Sequence, residues 1–198
     1  MPQTVAEWLA FHYRRTHARF LKAIEELSDA DLRRQWPHAN SIGFDAWHCA
    51  RWADHLQMLI PKMTPTLRGR VGPREQIWVR DGLLRKWGYP DAGLGQVETG
   101  MGMDEALASV LPIPEKIVLL DYVRRSFDAS DAVIARVLDA DLLAQAELSD
   151  EDIPWLRGER EKGPVANWIL SYDEHENRHL GMIEARRGLL GRRGTATA

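Results

Sequence analysis

The chain has a single cysteine, Cys49, among 198 residues. That excludes an intrachain disulfide and a cysteine-based zinc site, and it fits a reducing compartment. Long apolar runs are also missing: no segment approaches the roughly 20 residues a membrane span requires. Charge interrupts the opening MPQTVAEWLAFHYRRTHARF too early for a secretory leader, so a soluble, cytoplasmic protein is expected. No excess charge of one sign exists. Lys plus Arg number 26 against 29 Asp plus Glu, for a formal charge of -3, and no block of like charges suggests a nucleic-acid footprint. Period-two alternation, internal repeats and low-complexity tracts are absent. Gly93, Gly95, Gly100 and Gly102 cluster, but they match neither a GxGxxG nor a Walker spacing and follow no strand, so a phosphate cradle is given little weight.

What is present is helical periodicity. With 44% hydrophobic residues the chain can bury one sizeable core, and residues 1–198 read as one domain. Residues 4–27 place Val5, Trp8, Leu9, His12, Thr16, Phe20, Ala23, Ile24 and Leu27 on one face, with Thr4 as cap and Glu7 three residues on. The SDADL stretch reads as a turn. A second helix runs over about 42–60, its face carrying Phe44, His48, Trp52, His55 and Leu59. Residues 61–113 form a long crossover, with short helices expected over 74–87 and 104–110. A third helix covers 114–138 with Ile117, Leu120, Val123, Phe127, Ile134 and Leu138 inward. The polar EREKG segment reads as a solvated turn, the fourth helix spans 164–190 with Pro164 as its first helical residue, and 191–198 reads as a flexible tail. The fold class is all-α: a four-helix bundle with a long crossover between helices two and three, whose core is a place to build metal sites.

The fourth helix carries the chemistry. Val165, Trp168, Tyr172, His175, His179 and Met182 recur on one face, and imidazoles at i and i+4 are neighbours that can chelate one ion. The string from His175 to His179 is literally HExxH, in which a zinc protease uses both histidines as ligands and the glutamate as base. Its context differs: Gly181 falls one residue early for the longer HExxHxxGxxH pattern, Ala185 stands at the last histidine's place, and after His179 there is no further histidine and only Glu184 as a carboxylate. Glu176 lies about 100 degrees round the helix from His175, which suggests a solvated or ligand-supporting role. His12 and His55 read as structural or pocket-lining, and His17 and His38 as surface or turn residues.

The segments SIGFDAWHCARWADH and HENRHLGMIEARRGLLG resemble the DinB/YfiT-like metal-binding superfamily, and the similarity extends over nearly the whole chain, including SDADL. The resemblance implies His48, His175 and His179 as ligands of a divalent metal inside a four-helix bundle. Met182 and Ile183 depart from it, since many members have a glutamine after the glycine. Three imidazoles leave a fourth position open, as in catalytic zinc sites, and also suit nickel, copper or iron; zinc or nickel is expected. Asp45, Glu174 or Glu176 would fix the ring tautomers. Trp47, Trp52, Trp78, Trp87 or Trp168 would wall an apolar pocket. Characterised members include thiol S-transferases and a thiol-dependent isomerase, so the resemblance implies a low-molecular-weight thiol such as bacillithiol, mycothiol or glutathione and a small-molecule electrophile. Arg51, Arg74, Arg80 and Arg85 are candidates for a thiol's carboxylates. Metal-dependent hydrolysis and a stress-associated metal-binding protein without turnover are the alternatives. Bundles of this type commonly pair, and a homodimer is expected.

Overall fold

The computed structural model describes residues 2–158 and 162–193. Its first helix, α1 (Val5–Glu25), starts at the expected cap, where Thr4 Oγ1 accepts the Glu7 amide at 3.2 Å. The Glu7 carboxylate accepts from the Gln3 amide rather than from Thr4, so the capping box is half formed. SDADL is a helix and not a turn: α2 (Asp29–Arg33) is closed by a complete capping box between Ser28 and Asp31. Ser41 caps α3 (Ile42–Met63), which continues through Pro61 instead of ending before it. Thr64 then caps α4 (Pro65–Val71), with Pro65 in the first turn where its missing N–H is not needed.

The single helix expected over 74–87 is two short ones, α5 (Ile77–Arg80) and α6 (Leu83–Lys86), separated by Gly82 in the left-handed region. Asp104 caps α7 (Glu105–Val110). The remaining elements are α8 (Lys116–Ile134), α9 (Asp139–Leu142), a 3-10 turn over Pro154–Leu156 and α10 (Val165–Leu189). Pro164 is the extended residue before α10, not its first helical residue. Of the expected tail, 194–198 lie outside the described residues, as do Glu159, Arg160 and Glu161 of EREKG. Among the described residues there is no strand, and no helix is long and apolar enough to cross a membrane.

Both α3 and α1 pack against α8 and α10, so α1 and α3 take opposite corners of a four-helix bundle. The crossover between α3 and α8 carries α4 to α7 and lies over α3, which is why every residue of that helix except Met58 and Lys62 is buried. A helix buried all round is normally apolar all round. Here α3 also carries Asp45, His48, Arg51, Asp54, His55 and Gln57 inside, and each must find partners.

The buried face of α1 matches expectation at Thr16, Phe20, Ala23 and Ile24 and differs from it in the first half of the helix. Ala6, Ala10, Tyr13, Thr16, His17 and Phe20 point inward, while Val5, Trp8 and His12 face solvent. Tyr13 fixes this rotation by donating its hydroxyl to the Ile169 carbonyl at 2.5 Å. On α8, Ile117 is exposed, and Leu138, expected on the same stripe, lies beyond the helix end and is exposed too.

The rotation buries His17, expected at the surface, between two carboxylates: Nδ1 is 2.9 Å from Asp131 and Nε2 is 2.9 Å from Glu176, contacts that are close but poorly aligned for hydrogen bonding. Its ring stacks on Phe127 with centroids 3.9 Å apart. Burial pushes the imidazole toward neutrality, but Glu176 and Asp131 outweigh it and raise the pKa to about 9. Glu176, expected to be solvated or to support a ligand, is fully buried; burial raises its pKa and His17 pulls it back. A raised folded pKa gives stability that is present in full below the unfolded value near 6.5 and is lost as pH rises through the folded one. Denaturant midpoints of chelator-treated protein should therefore fall between pH 6.5 and about 9. His17→Gln should flatten that slope; an equally steep fall in the variant would assign it to another group.

Candidate metal centre

His48 sits near the start of α3, and His175 and His179 lie one turn apart on α10. The α3–α10 contact brings the three rings into a nearly equilateral triangle, with centroid separations of 4.8, 4.7 and 4.6 Å. One ring nitrogen from each lies within 4.8 Å of the others, the only such grouping among the described residues. His48 is buried and the α10 pair is half-buried.

Two of the rings are oriented by acceptors. His48 Nδ1 donates to the Thr99 carbonyl, so its Nε2 carries the lone pair and accepts from Nε2 of His175, 2.9 Å away. His179 Nδ1 is 3.2 Å from Asp45 Oδ1. Asp45 was one of three candidates for such a role; it serves the histidine on the facing helix rather than its neighbour His48. Its other oxygen accepts from Arg186 on α10, a residue the sequence reading did not single out although it lies two turns beyond His179. Glu174 is exposed and Glu176 faces His17. A ligating imidazole whose second nitrogen is held by a carbonyl or carboxylate is the usual arrangement at metal sites.

Burial, followed by the neighbouring His179, holds His48 down to about 4, and burial with His48 and His179 holds His175 to about 2. Both imidazoles are therefore neutral at pH 7, the form that binds metal. Three imidazoles, two of them with anchored tautomers, are compatible with a divalent ion.

Thr99 was also missed, because a backbone carbonyl leaves no mark on residue type. The signal was the cluster of glycines around it. Gly100 has φ +91°, and a Cβ there would lie 3.0 Å from Phe44 and Trp47 and 3.2 Å from His48 Nδ1; only glycine lets the loop come this close. The loop is held from inside α3: Arg51 donates to the carbonyls of Val97 and Glu98, both at 2.9 Å. Both residues have positive φ, a strain on the order of 1–3 kcal/mol each that surrounding contacts must offset. Asp54, also unnoticed in the sequence, accepts the Ile77 and Trp78 amides at 2.8 and 2.9 Å and anchors the start of the same crossover.

On the other side of His175 lies a cavity of about 140 Å³ lined by Trp52, Trp155, Trp168, Ser171, Tyr172 and His175. Of the tryptophans expected to wall a pocket, Trp52 and Trp168 do so, whereas Trp47, Trp78 and Trp87 pack in a separate aromatic cluster with Tyr89 and Tyr122. Trp155 was unforeseen. His55 stays outside the triangle and holds the Tyr172 hydroxyl at 2.8 Å; burial and then Arg51 depress it to about 3. His38 is exposed in a turn, as expected. A larger groove of about 750 Å³ between the start of α1 and residues 135–140 is lined by none of these groups. Arg51 and Arg74 are committed to internal hydrogen bonds and Arg80 to Asp81, while Arg85 is exposed.

The sequence profile of the DinB superfamily matches residues 12–183. No curated protein matches the chain. Among solved structures, a conserved protein from Enterococcus faecalis is similar with a TM-score of 0.66 and 19% identity, over 96% of this chain and 100% of that one. At that identity the likeness is one of fold.

Proposed function

This chain belongs to the DinB superfamily, and from that membership and its three converging imidazoles we propose that it is a divalent-metal-dependent enzyme, a thiol S-transferase joining a low-molecular-weight thiol to an electrophile. The observation that carries the reading is the convergence of His48, His175 and His179 beside an aromatic-walled cavity. A divalent ion, zinc or nickel, bound by these three residues would supply the positive charge that acidifies a thiol at neutral pH. The protein's own groups do the rest. Thr99 and Asp45 hold two rings so that their Nε2 lone pairs are available. Arg186 balances the Asp45 carboxylate. Trp52, Trp155 and Trp168 give the cavity beside His175 an apolar wall.

The test is metal content by inductively coupled plasma mass spectrometry on untagged protein, beside His48→Ala and His179→Ala. About one ion per chain is expected in the wild type, and none in either variant. Folded wild type should also consume a thiol together with an electrophile, and folded His48→Ala should not. Failure to take up zinc or nickel even after incubation would overturn the proposal. Stoichiometric metal with no thiol consumption would turn it toward hydrolysis or toward binding without turnover.

A further inference from the structure

The groove between the start of α1 and residues 135–140 takes no part in the metal centre, yet the apolar side chains that the core leaves outside gather around it. Phe11 is 38% exposed and Leu138, beyond the end of α8, is 52% exposed, and both line this space of about 750 Å³. Trp8, also exposed, braces the Phe11 ring edge-to-face, with centroids 5.6 Å apart and planes at 87°. On the α1 side the lining includes the small residues Ala6 and Ala10. A protruding ring therefore stands beside a trough of small side chains.

The charges along the trough have an order. Glu7, Ala10, Phe11 and Arg14 all line it, and positions i, i+3, i+4 and i+7 share one helical face. Read backwards, the same four residues give the same pattern with the charges exchanged: a base, a ring, an alanine, an acid. The Glu7 carboxylate accepts from the Gln3 amide of its own turn, and Arg14 is exposed with no hydrogen-bond or ion-pair partner among the described residues. The other lining carboxylate, Asp139, is taken by the Val5 and Ala6 amides.

Such a face is its own complement. A twofold axis midway between Ala10 and Phe11 lays α1 antiparallel on α1 of a second copy. Glu7 and Arg14 are equally far from that axis, so each meets the opposite charge across it, and Phe11 enters the trough over Ala10 of the second copy. Every contact occurs twice, as a self-complementary interface requires, and alanine at the crossing lets two helices approach closely. A partner of one charge sign would satisfy only one end of the rim. We propose that this face of α1 is a homodimer interface, with two copies packed antiparallel about Ala10 and Phe11 and joined by reciprocal Glu7 to Arg14 ion pairs. Nothing in this surface depends on the metal or on the enzymatic reading.

The experiment is sedimentation velocity over a concentration series, with circular dichroism melts to show that each variant is folded. Wild type should dimerise. Phe11→Ser should weaken the dimer at least about tenfold, since the ring is lost from both copies. Glu7→Arg and Arg14→Glu each set like charges face to face and should be monomeric alone. Mixed one to one, these two variants should form a heterodimer, because each supplies the sign the other lacks, and Glu7→Arg combined with Arg14→Glu in one chain should pair again. Arg14→Glu and Phe11→Ser keep the test readable should loss of the Glu7 contact with Gln3 fray the start of α1. Wild type that stays monomeric at roughly 100 μM, an affinity too weak for a stable pair, would overturn the proposal. A dimer indifferent to Phe11→Ser and to both charge reversals would overturn this surface. Folded single variants that stay monomeric when mixed would overturn the antiparallel register.

Discussion

Asp45→Ala should cost about 3–5 kcal/mol of stability, the scale for stripping one partner from a buried ion pair, and weaken metal binding by roughly 10- to 100-fold. Two consequences share one carboxylate. Its Oδ2 accepts from Arg186, a side chain about 10% exposed, so removal leaves a guanidinium in the interior without its counter-charge. Its Oδ1 holds His179 Nδ1, so removal frees that ring to rotate and to change tautomer. A second substitution separates them. Asp45→Ala combined with Arg186→Met removes the orphaned charge and should regain much of the stability, while metal affinity stays low because nothing orients His179. Denaturant midpoints and competition with a chelating dye read the two effects independently. Recovery of both properties in the double variant would show that His179 needs no acceptor, and loss of neither in the single variant would show that the pair is not formed in solution.

Asp54→Ala should be at least as damaging, although Asp54 is no part of the histidine triangle. The carboxylate is fully buried and accepts from the Ile77 and Trp78 amides, from Gln57 at 3.2 Å, from the Tyr122 hydroxyl at 3.1 Å and from Arg51 at 3.4 Å. Alanine would leave two buried amides and a nearly inaccessible guanidinium without this acceptor. At about 1–3 kcal/mol for each orphaned group the loss should exceed ~4 kcal/mol. It should also travel. Arg51 holds the carbonyls of Val97 and Glu98, and the next carbonyl in the chain, that of Thr99, holds His48. Amide hydrogen exchange should accelerate across 76–103 in Asp54→Ala before the bundle opens, and metal affinity should fall with it. Exchange that rises uniformly over all four long helices would mean that the crossover is not a separate unit hanging from Asp54.

Of these two carboxylates, Asp45 stands among the acceptors the sequence offers for a ligand's ring, whereas Asp54 is invisible in it. The four long helices were legible because apolar residues recur at three- and four-residue steps, and the cap at Thr4 announced itself by residue type. His175 and His179 were legible because their relation is local: a spacing of four on a helix fixes their proximity whatever surrounds it. His48 came from its place on a helical stripe and from a family resemblance. By contrast, Arg51 and Asp54 look like solvated charges in any sequence window, and only the crossover returning 23 to 47 positions later buries them. On α1, apolar residues on two faces let the reading settle on Val5, Trp8 and His12. The true inward face is set by Tyr13 reaching Ile169 and by small alanines that allow close approach. SDADL reads as a turn for a similar reason: its polar residues suit a loop, and only the reciprocal bonds between Ser28 and Asp31 show that they start a helix.

The triangle draws two corners from one helix and the third from 127 positions earlier in the chain. A histidine pair on a single helical turn already offers a two-pronged grip wherever α10 is transiently helical, folded or not. By thermodynamic linkage an ion stabilises the native protein only by the difference between its affinities for native and unfolded chains. The histidine pair, available to both, contributes little to that difference. The discriminating contribution comes from His48 and from the acceptors that α3 and the crossover bring with it. Bound metal would therefore act as a thermodynamic sensor of one event, the docking of α10 against α3 with the crossover closed over them.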